Sequence, residues 1–301
     1  MKFTIILIAS LLFVSNAYSL KPDTTAYLIT PSRYGLMYKE YKVKTKDGYT
    51  LNAWFCPAQT APSIDSLFGE GAKEPLQRPY VIDNAKRPTI IICNGDAGNM
   101  YPNVSLAYRY CQYGFNVITF DWRGFGQSQY FPINTDYLVY PEFITDYNAI
   151  VDFAKQIPIV DSNRIGVFGY STGAFLSFAI ASQRPEIKAI VARGIFTDYK
   201  SVTPGLQKLV PKRTLFCPEG MDKYSPRNNW STFRKPIFLV VGEKDIRTPK
   251  ENSIEILSNV KSNVRELWIV EKAEHGSDKA PEIVEHELFI KKTVCFFKDN
   301  L

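Results

Sequence analysis

Histidine is scarce in these 301 residues. Only His275 and His286 are present, and no cysteine clusters with either. Zinc and similar centres draw on such clusters at close spacing, so no metal is implied. A nucleotide signature is also missing. Gly124-Phe125-Gly126 is a lone fragment that does not open a helix, so no cofactor is expected. No internal repeat or low-complexity tract occurs, and beyond the first residues no apolar run is long enough to span a bilayer. A concentrated charge patch is absent too. The net charge is +6, with lysine and arginine spread along the chain and small groups at 208–213 and 291–292. Nucleic-acid binders gather basic residues in one patch interleaved with aromatics, so this pattern reads as solvated surface and implies no nucleic-acid partner.

The first residues form a leader pattern. Lys2 gives a short positive start, residues 3–14 are almost wholly apolar, and the small residues Ala17 and Ser19 follow. This order predicts a signal peptide over 1–19, removed before Leu20, and a secreted or periplasmic protein. An uncleaved anchor is the alternative. The remaining 20–301 are expected to form one domain, and the whole chain has 45% apolar and 22% charged residues, as in ordinary globular proteins. Five cysteines is an odd number for an exported protein. Cys93 lies inside an apolar strand pattern and reads as core. Cys56, Cys111, Cys217 and Cys295 could form one or two disulfides, with connectivity open. A core of this size does not depend on them. Asn103-Val104-Ser105 and Asn229-Trp230-Ser231 match the glycosylation acceptor pattern. The sequence leaves the oligomeric state open.

Residues 38–45 alternate as a strand, Lys46-Asp47-Gly48 is a turn signal, and 49–55 is a second strand, giving a hairpin. Residues 58–86 read as a long polar loop, with a possible short strand at 80–82. Apolar strands are then expected at 89–93, 115–120, 165–168, 187–191, 236–241 and 264–270. Helical patterns stand at 106–113, 143–156, 172–182, 250–260 and 281–297. Strands apolar on both faces, alternating with helices, predict a mostly parallel sheet covered on both sides, with an antiparallel hairpin at its N-terminal end. Residues 200–234 carry Pro204, Pro211, Pro218 and Pro226 and predict a small cap inserted over the carboxyl edge of the sheet. In open α/β sheets that edge is where ligands bind.

Gly169-Tyr170-Ser171-Thr172-Gly173 follows a strand pattern and opens a helical one. A serine hydroxyl is a weak nucleophile and needs a base beside it. A sharp strand-to-helix turn lifts it into reach, and flanking glycines relieve the crowding. The helix start also favours developing negative charge. His275 follows the strand that ends near residue 270, so its loop emerges at the same edge, and it is the expected base. His286, inside the last helical pattern, reads as surface. The acid should stand between serine and histidine in chain order. Asp245, in a loop after an apolar strand, is the candidate; Glu243 and Asp198 are its rivals. Its role would be to hold the imidazole tautomer and stabilise the imidazolium. Two backbone amides would hold the oxyanion: Thr172, directly after the serine, and Asp96 in Asn94-Gly95-Asp96-Ala97-Gly98-Asn99, with Ala97 next.

That loop, Asp121-Trp122-Arg123-Gly124-Phe125-Gly126-Gln127-Ser128, the serine motif, and 242–245 with His275 together resemble the alpha/beta-hydrolase superfamily over essentially all of 20–301. The chain is most similar to its small-cap branch of serine-aminopeptidase-like, monoglyceride-lipase-like and depalmitoylase-like domains. Such relatives usually begin the oxyanion loop His-Gly-Asn-Ala-Gly; here Asn94 replaces the histidine and Asp96 the asparagine. The resemblance implies an alpha/beta-hydrolase fold and a mainly structural role, with no catalytic part, for the loop 121–128 beside the site. The expected activity is a serine hydrolase that cleaves an acyl ester or thioester through an acyl-enzyme. Its partner would be a small-molecule substrate with an apolar acyl group, bound near Tyr101, Tyr130, Phe131, Tyr170 and Trp230. A peptidase or acyltransferase on the same triad, and an inactive binding protein on the same fold, are the alternatives.

Overall fold

The computed structural model describes residues 19–59 and 85–301. The expected leader up to residue 18, most of the 58–86 loop and the possible strand at 80–82 lie outside these residues. Among the described residues, eight strands form the main sheet: β1 (Lys39–Lys44), β2 (Thr50–Cys56), β3 (Arg87–Cys93), β4 (Asn116–Phe120), β5 (Val160–Tyr170), β6 (Ile187–Arg193), β7 (Ile237–Gly242) and β8 (Arg265–Val270). The main helices are α1 (Val104–Gln112), α2 (Glu142–Ala154), α3 (Thr172–Gln183), α4 (Tyr199–Leu209), α5 (Lys250–Asn259) and α6 (His286–Asn300). The spatial order is β8-β7-β6-β5-β3-β4-β2-β1. Strands β3 to β8 run parallel, while β2 lies antiparallel to both β4 and β1. This is the alpha/beta-hydrolase fold.

Successive side chains of a strand point to opposite faces, so a strand apolar throughout feeds two cores. In β3, Ile91 and Cys93 join the core under α2, α3 and α5. Ile90 and Ile92 join the other core, under α1 and α6. The middle helix α3 is buried all round from Thr172 to Ala181. Its uniformly apolar sequence reflects that central place.

Three expectations change in detail. The strand expected at 165–168 begins at Val160, because Val160 pairs with Arg87 through a polar stretch that carries no apolar signal. The helix expected over 281–297 divides into Pro281–Val284 and α6, with Glu285 between them at φ −123° and ψ 47°. His286 Nδ1 bonds the Glu282 carbonyl at 3.0 Å, capping the first turn there. The proline-marked segment 200–234 opens as a regular helix, α4, with Pro204 inside it. All five cysteines are free thiols; Cys93, Cys56 and Cys111 are buried.

Residues 121–128 clamp the hairpin to the sheet. Arg123, 1% exposed, donates to Asp146 from its amide at 3.0 Å and from its guanidinium at 2.8 and 2.6 Å. It also forks onto both Asp47 oxygens in the β1–β2 turn, at 2.7 and 3.0 Å. The Arg123 bonds hold the Asp47 carboxyl down at about 2. A pKa lower in the folded chain than in the unfolded one adds stability above the usual carboxylate range, lost as pH falls toward 2. Arg123→Ala leaves Asp146 buried without its partner, and should cost about 3–5 kcal/mol in urea unfolding at neutral pH. A loss no larger than that of an exposed lysine would contradict this account.

Candidate active site

Between β5 and α3 the chain reverses on one residue. Ser171 adopts φ 55° and ψ −122°, a region that L-residues rarely occupy. Such a conformation costs of order 1–3 kcal/mol and persists only where its surroundings impose it. The Ser171 amide donates to the Arg193 carbonyl at 2.9 Å, and its own carbonyl accepts from Ala174 at 2.8 Å and Phe175 at 3.1 Å. The two motif glycines are required by space. A Cβ on Gly169 would overlap the Gly173 carbonyl and Ser177 Oγ; one on Gly173 would overlap the carbonyl oxygens of Cys93 and Asn94.

The loops that follow β7 and β8 bring the other two groups to this turn. His275 Nε2 lies 3.0 Å from Ser171 Oγ, and His275 Nδ1 lies 2.7 Å from Asp245 Oδ2. All three side chains are under 10% exposed: Ser171 7%, His275 6% and Asp245 5%. Asp245 is itself heavily bonded. Its Oδ1 accepts the amides of Arg247 at 2.9 Å and Thr248 at 2.8 Å, and its Oδ2 accepts the Thr248 hydroxyl at 2.8 Å. Burial pushes the Asp245 carboxyl up, but His275 and the Thr248 donors outweigh it and hold the carboxyl below its usual range. A carboxylate on Nδ1 places the imidazole proton there and leaves Nε2 free to accept from the serine.

The two rival carboxylates stand elsewhere. Asp198 caps α4, accepting the Ser201 amide at 2.6 Å, and pairs with Arg227 at 2.5 Å. Glu243 accepts the Lys272 amide at 3.0 Å. His286 is exposed at the start of α6.

Sequence reasoning missed the residues that anchor the histidine loop. Arg193, 2% exposed, donates to the His275 carbonyl and pairs with Glu282 at 2.5 Å. Its guanidinium lies 3.6 Å above the Tyr170 ring, and the Tyr170 hydroxyl donates to the same carbonyl at 3.2 Å. The one signal in the sequence is an arginine closing the apolar strand Ile187–Arg193 at the carboxyl edge of the sheet.

A pocket opens above Ser171. Leu138, Phe196, Tyr199, Val202 and Leu206 give it apolar walls, and Asp96, Thr172, Arg247, Thr248 and His275 complete it. Tyr199, Val202 and Leu206 come from α4, at the start of the segment expected as a cap. Thr172 is the first residue of α3, where an amide has no intrahelical partner. Asp96 is half-buried; burial raises its carboxyl, against the pull of His275 and Arg247. The five aromatics expected at the substrate do not line this pocket. Tyr101 packs with Trp54, Phe131 against Tyr49, and Trp230 under Arg227, while Tyr130 is 79% exposed. Tyr170 lies instead below the histidine loop.

The prolyl oligopeptidase family model matches residues 102–301. Among curated proteins, the chain is 28% identical over 233 residues to the uncharacterized protein YfhR of Escherichia coli O157:H7, covering 76% of this chain and 70% of that protein. It is 27% identical over 260 residues to acylamino-acid-releasing enzyme 1 of Oryza sativa subsp. japonica, covering 76% of this chain but 32% of the rice protein. Among solved structures, the Pyrococcus furiosus esterase Pf2001 superposes with a TM-score of 0.70 at 23% identity, over 93% of this chain and 99% of that one. At that identity the likeness speaks to fold alone.

Removing the Arg193 guanidinium takes away one of the two donors to the His275 carbonyl without altering the Ser171, His275 or Asp245 side chains themselves. Arg193→Met should lower kcat on an activated ester ~10-fold with little change in KM, and Arg193→Lys should recover part of it. Unchanged kcat in a folded Arg193→Met protein would contradict an anchoring role.

Proposed function

The chain belongs to the prolyl oligopeptidase family of α/β-hydrolases and is a serine hydrolase of that fold; from this premise we propose that Ser171, His275 and Asp245 cleave an acyl ester or thioester. One observation carries the reading. A carboxylate, an imidazole and a hydroxyl form an unbroken hydrogen-bonded line, 2.7 and 3.0 Å long, that ends in a pocket with apolar walls on one side. His275 Nε2 takes the Ser171 proton as Oγ attacks the acyl carbonyl. Asp245 holds the Nδ1 proton and stabilises the imidazolium. The amides of Thr172 and Asp96 receive the oxyanion. The imidazolium then protonates the leaving group, and water deacylates the serine by the reverse route. Leu138, Phe196, Val202 and Leu206 favour an apolar acyl group. With the leader removed after Ser19, the enzyme would act in the periplasm or outside the cell.

A peptidase reading has its own support in the family match, and one assay separates the two. Medium-chain 4-nitrophenyl esters and acyl thioesters should turn over faster, by kcat/KM, than aminoacyl and acylaminoacyl 4-nitroanilides. The reverse order would replace the ester reading with the amide one. Asp245→Asn, which presents the wrong tautomer, should cost ~10⁴ in kcat. Asp96 supplies a further check. Asp96 lines the pocket together with Ser171, so ionisation of its carboxyl as pH rises adds negative charge near the proposed oxyanion site. Asp96→Asn should therefore gain most over wild type on the alkaline side. A gain confined to the acid side would contradict this placement.

A further inference from the structure

The loop that carries Asp96 has ties at both ends. The Asn94 side chain donates to the Phe120 carbonyl at 3.4 Å and accepts from Asn103 Nδ2, and the Met100 amide donates to Asp121 Oδ1 at 2.7 Å. Between those ties its backbone is held by a second piece of chain from far away in sequence. Lys21 and Pro22 run parallel to Ala97 and Gly98. The Lys21 amide donates to the Asp96 carbonyl at 2.8 Å, and the Asp23 amide donates to the Gly98 carbonyl at 2.9 Å.

This second piece is itself pinned. Leu20 is 1% exposed in the core, and its amide donates to the Tyr137 carbonyl at 3.2 Å. The Asp23 carbonyl accepts the Gly126 amide at 2.9 Å. A little further on, the Tyr27 hydroxyl donates to Asp121 Oδ2, on the same carboxylate whose other oxygen takes the Met100 amide. The Lys21 side chain is exposed, so only its main chain takes part in the bridge.

A peptide unit is planar, so fixing one carbonyl fixes the amide on the other side of the same bond. Holding the Asp96 carbonyl sets the Ala97 amide directly, and leaves the Asp96 amide free only through the two torsions of its own residue. With Gly95 and Gly98 on either side, the loop sequence imposes little direction by itself. We propose that residues 20–23 are a positioning strap that sets the aim of the oxyanion amides at 96–97, and so controls stabilisation of the transition state rather than binding of the substrate. The inference rests on reading Asp96 as an oxyanion donor. Processing after Ser19 keeps the strap whole; trimming past Lys21 removes its first donor.

Proline at position 21 removes the donor and suits an extended segment, whereas alanine keeps the donor. In turnover of a 4-nitrophenyl ester, Lys21→Pro should lose ~10- to 100-fold in kcat with KM within about twofold of wild type. Lys21→Ala should match wild type, and the pH profile of Lys21→Pro should keep its shape because the triad is untouched. Cooperative thermal melting establishes that each variant is folded. Asp23→Pro removes the donor at the other end of the bridge and gives the same reading if Lys21→Pro does not fold. Wild-type kcat in a folded proline variant, or an equal loss in Lys21→Ala, overturns the strap. Ser171→Ala in the same assay separates the two levels. An inactive Ser171→Ala beside an unimpaired Lys21→Pro overturns the strap alone. Persistent turnover by Ser171→Ala overturns the triad reading and the strap with it.

Discussion

Gly173 has no room for a side chain, because the carbonyl oxygens of Cys93 and Asn94 already occupy the space where its Cβ would stand. That close approach holds the site together. It brings the first turn of α3 against the end of β3, so the loop at 94–99 passes directly beside Ser171. Gly169 does the same on the strand side, where the Gly173 carbonyl presses on it. Once β5, α3 and β3 are in contact, Ser171 can leave the strand only through the strained conformation it adopts, with its hydroxyl turned toward the pocket and toward His275.

The remaining parts converge on this turn from separate strands of one sheet. The loop after β7 delivers Asp245, the loop after β8 delivers His275, and the last residue of β6, Arg193, ties the His275 carbonyl down. Parallel strands place all these loops at one edge, and the shared register of β5 to β8 fixes their spacing. The proposed chemistry would run along this short polar line, each group of which is buried and hydrogen-bonded to the next. Adjacent to this, α4 provides part of the apolar wall, with Leu138 and Phe196 supplying the rest.

Local chemistry makes part of this legible in the amino-acid sequence. The serine motif, the order of serine, aspartate and histidine, and the alternation of apolar strands with helices each rest on short stretches whose spacing carries the physics. The turn at 46–48 and the buried Cys93 belong to the same class. What stays hidden depends on residues distant in sequence. Leu138, Phe196 and Val202 look like any apolar residues until the fold brings them together, whereas exposed Tyr130 looks like a substrate contact on composition alone. Arg193 escapes notice because a buried arginine is recognisable only by its partners, here Tyr170, Glu282 and a backbone carbonyl. The split of the last helix at Glu285 is equally invisible, since the apolar period continues across it.

The central claim is that Ser171 is activated by His275. The most direct measurement is covalent labelling of the folded protein by a fluorophosphonate, with the adduct located by peptide mass spectrometry. The account predicts one phosphonyl group on Ser171 in the wild-type chain, and its loss in both Ser171→Ala and His275→Ala. A well-folded wild-type protein that takes no label, or label that persists when His275 is replaced, would contradict it.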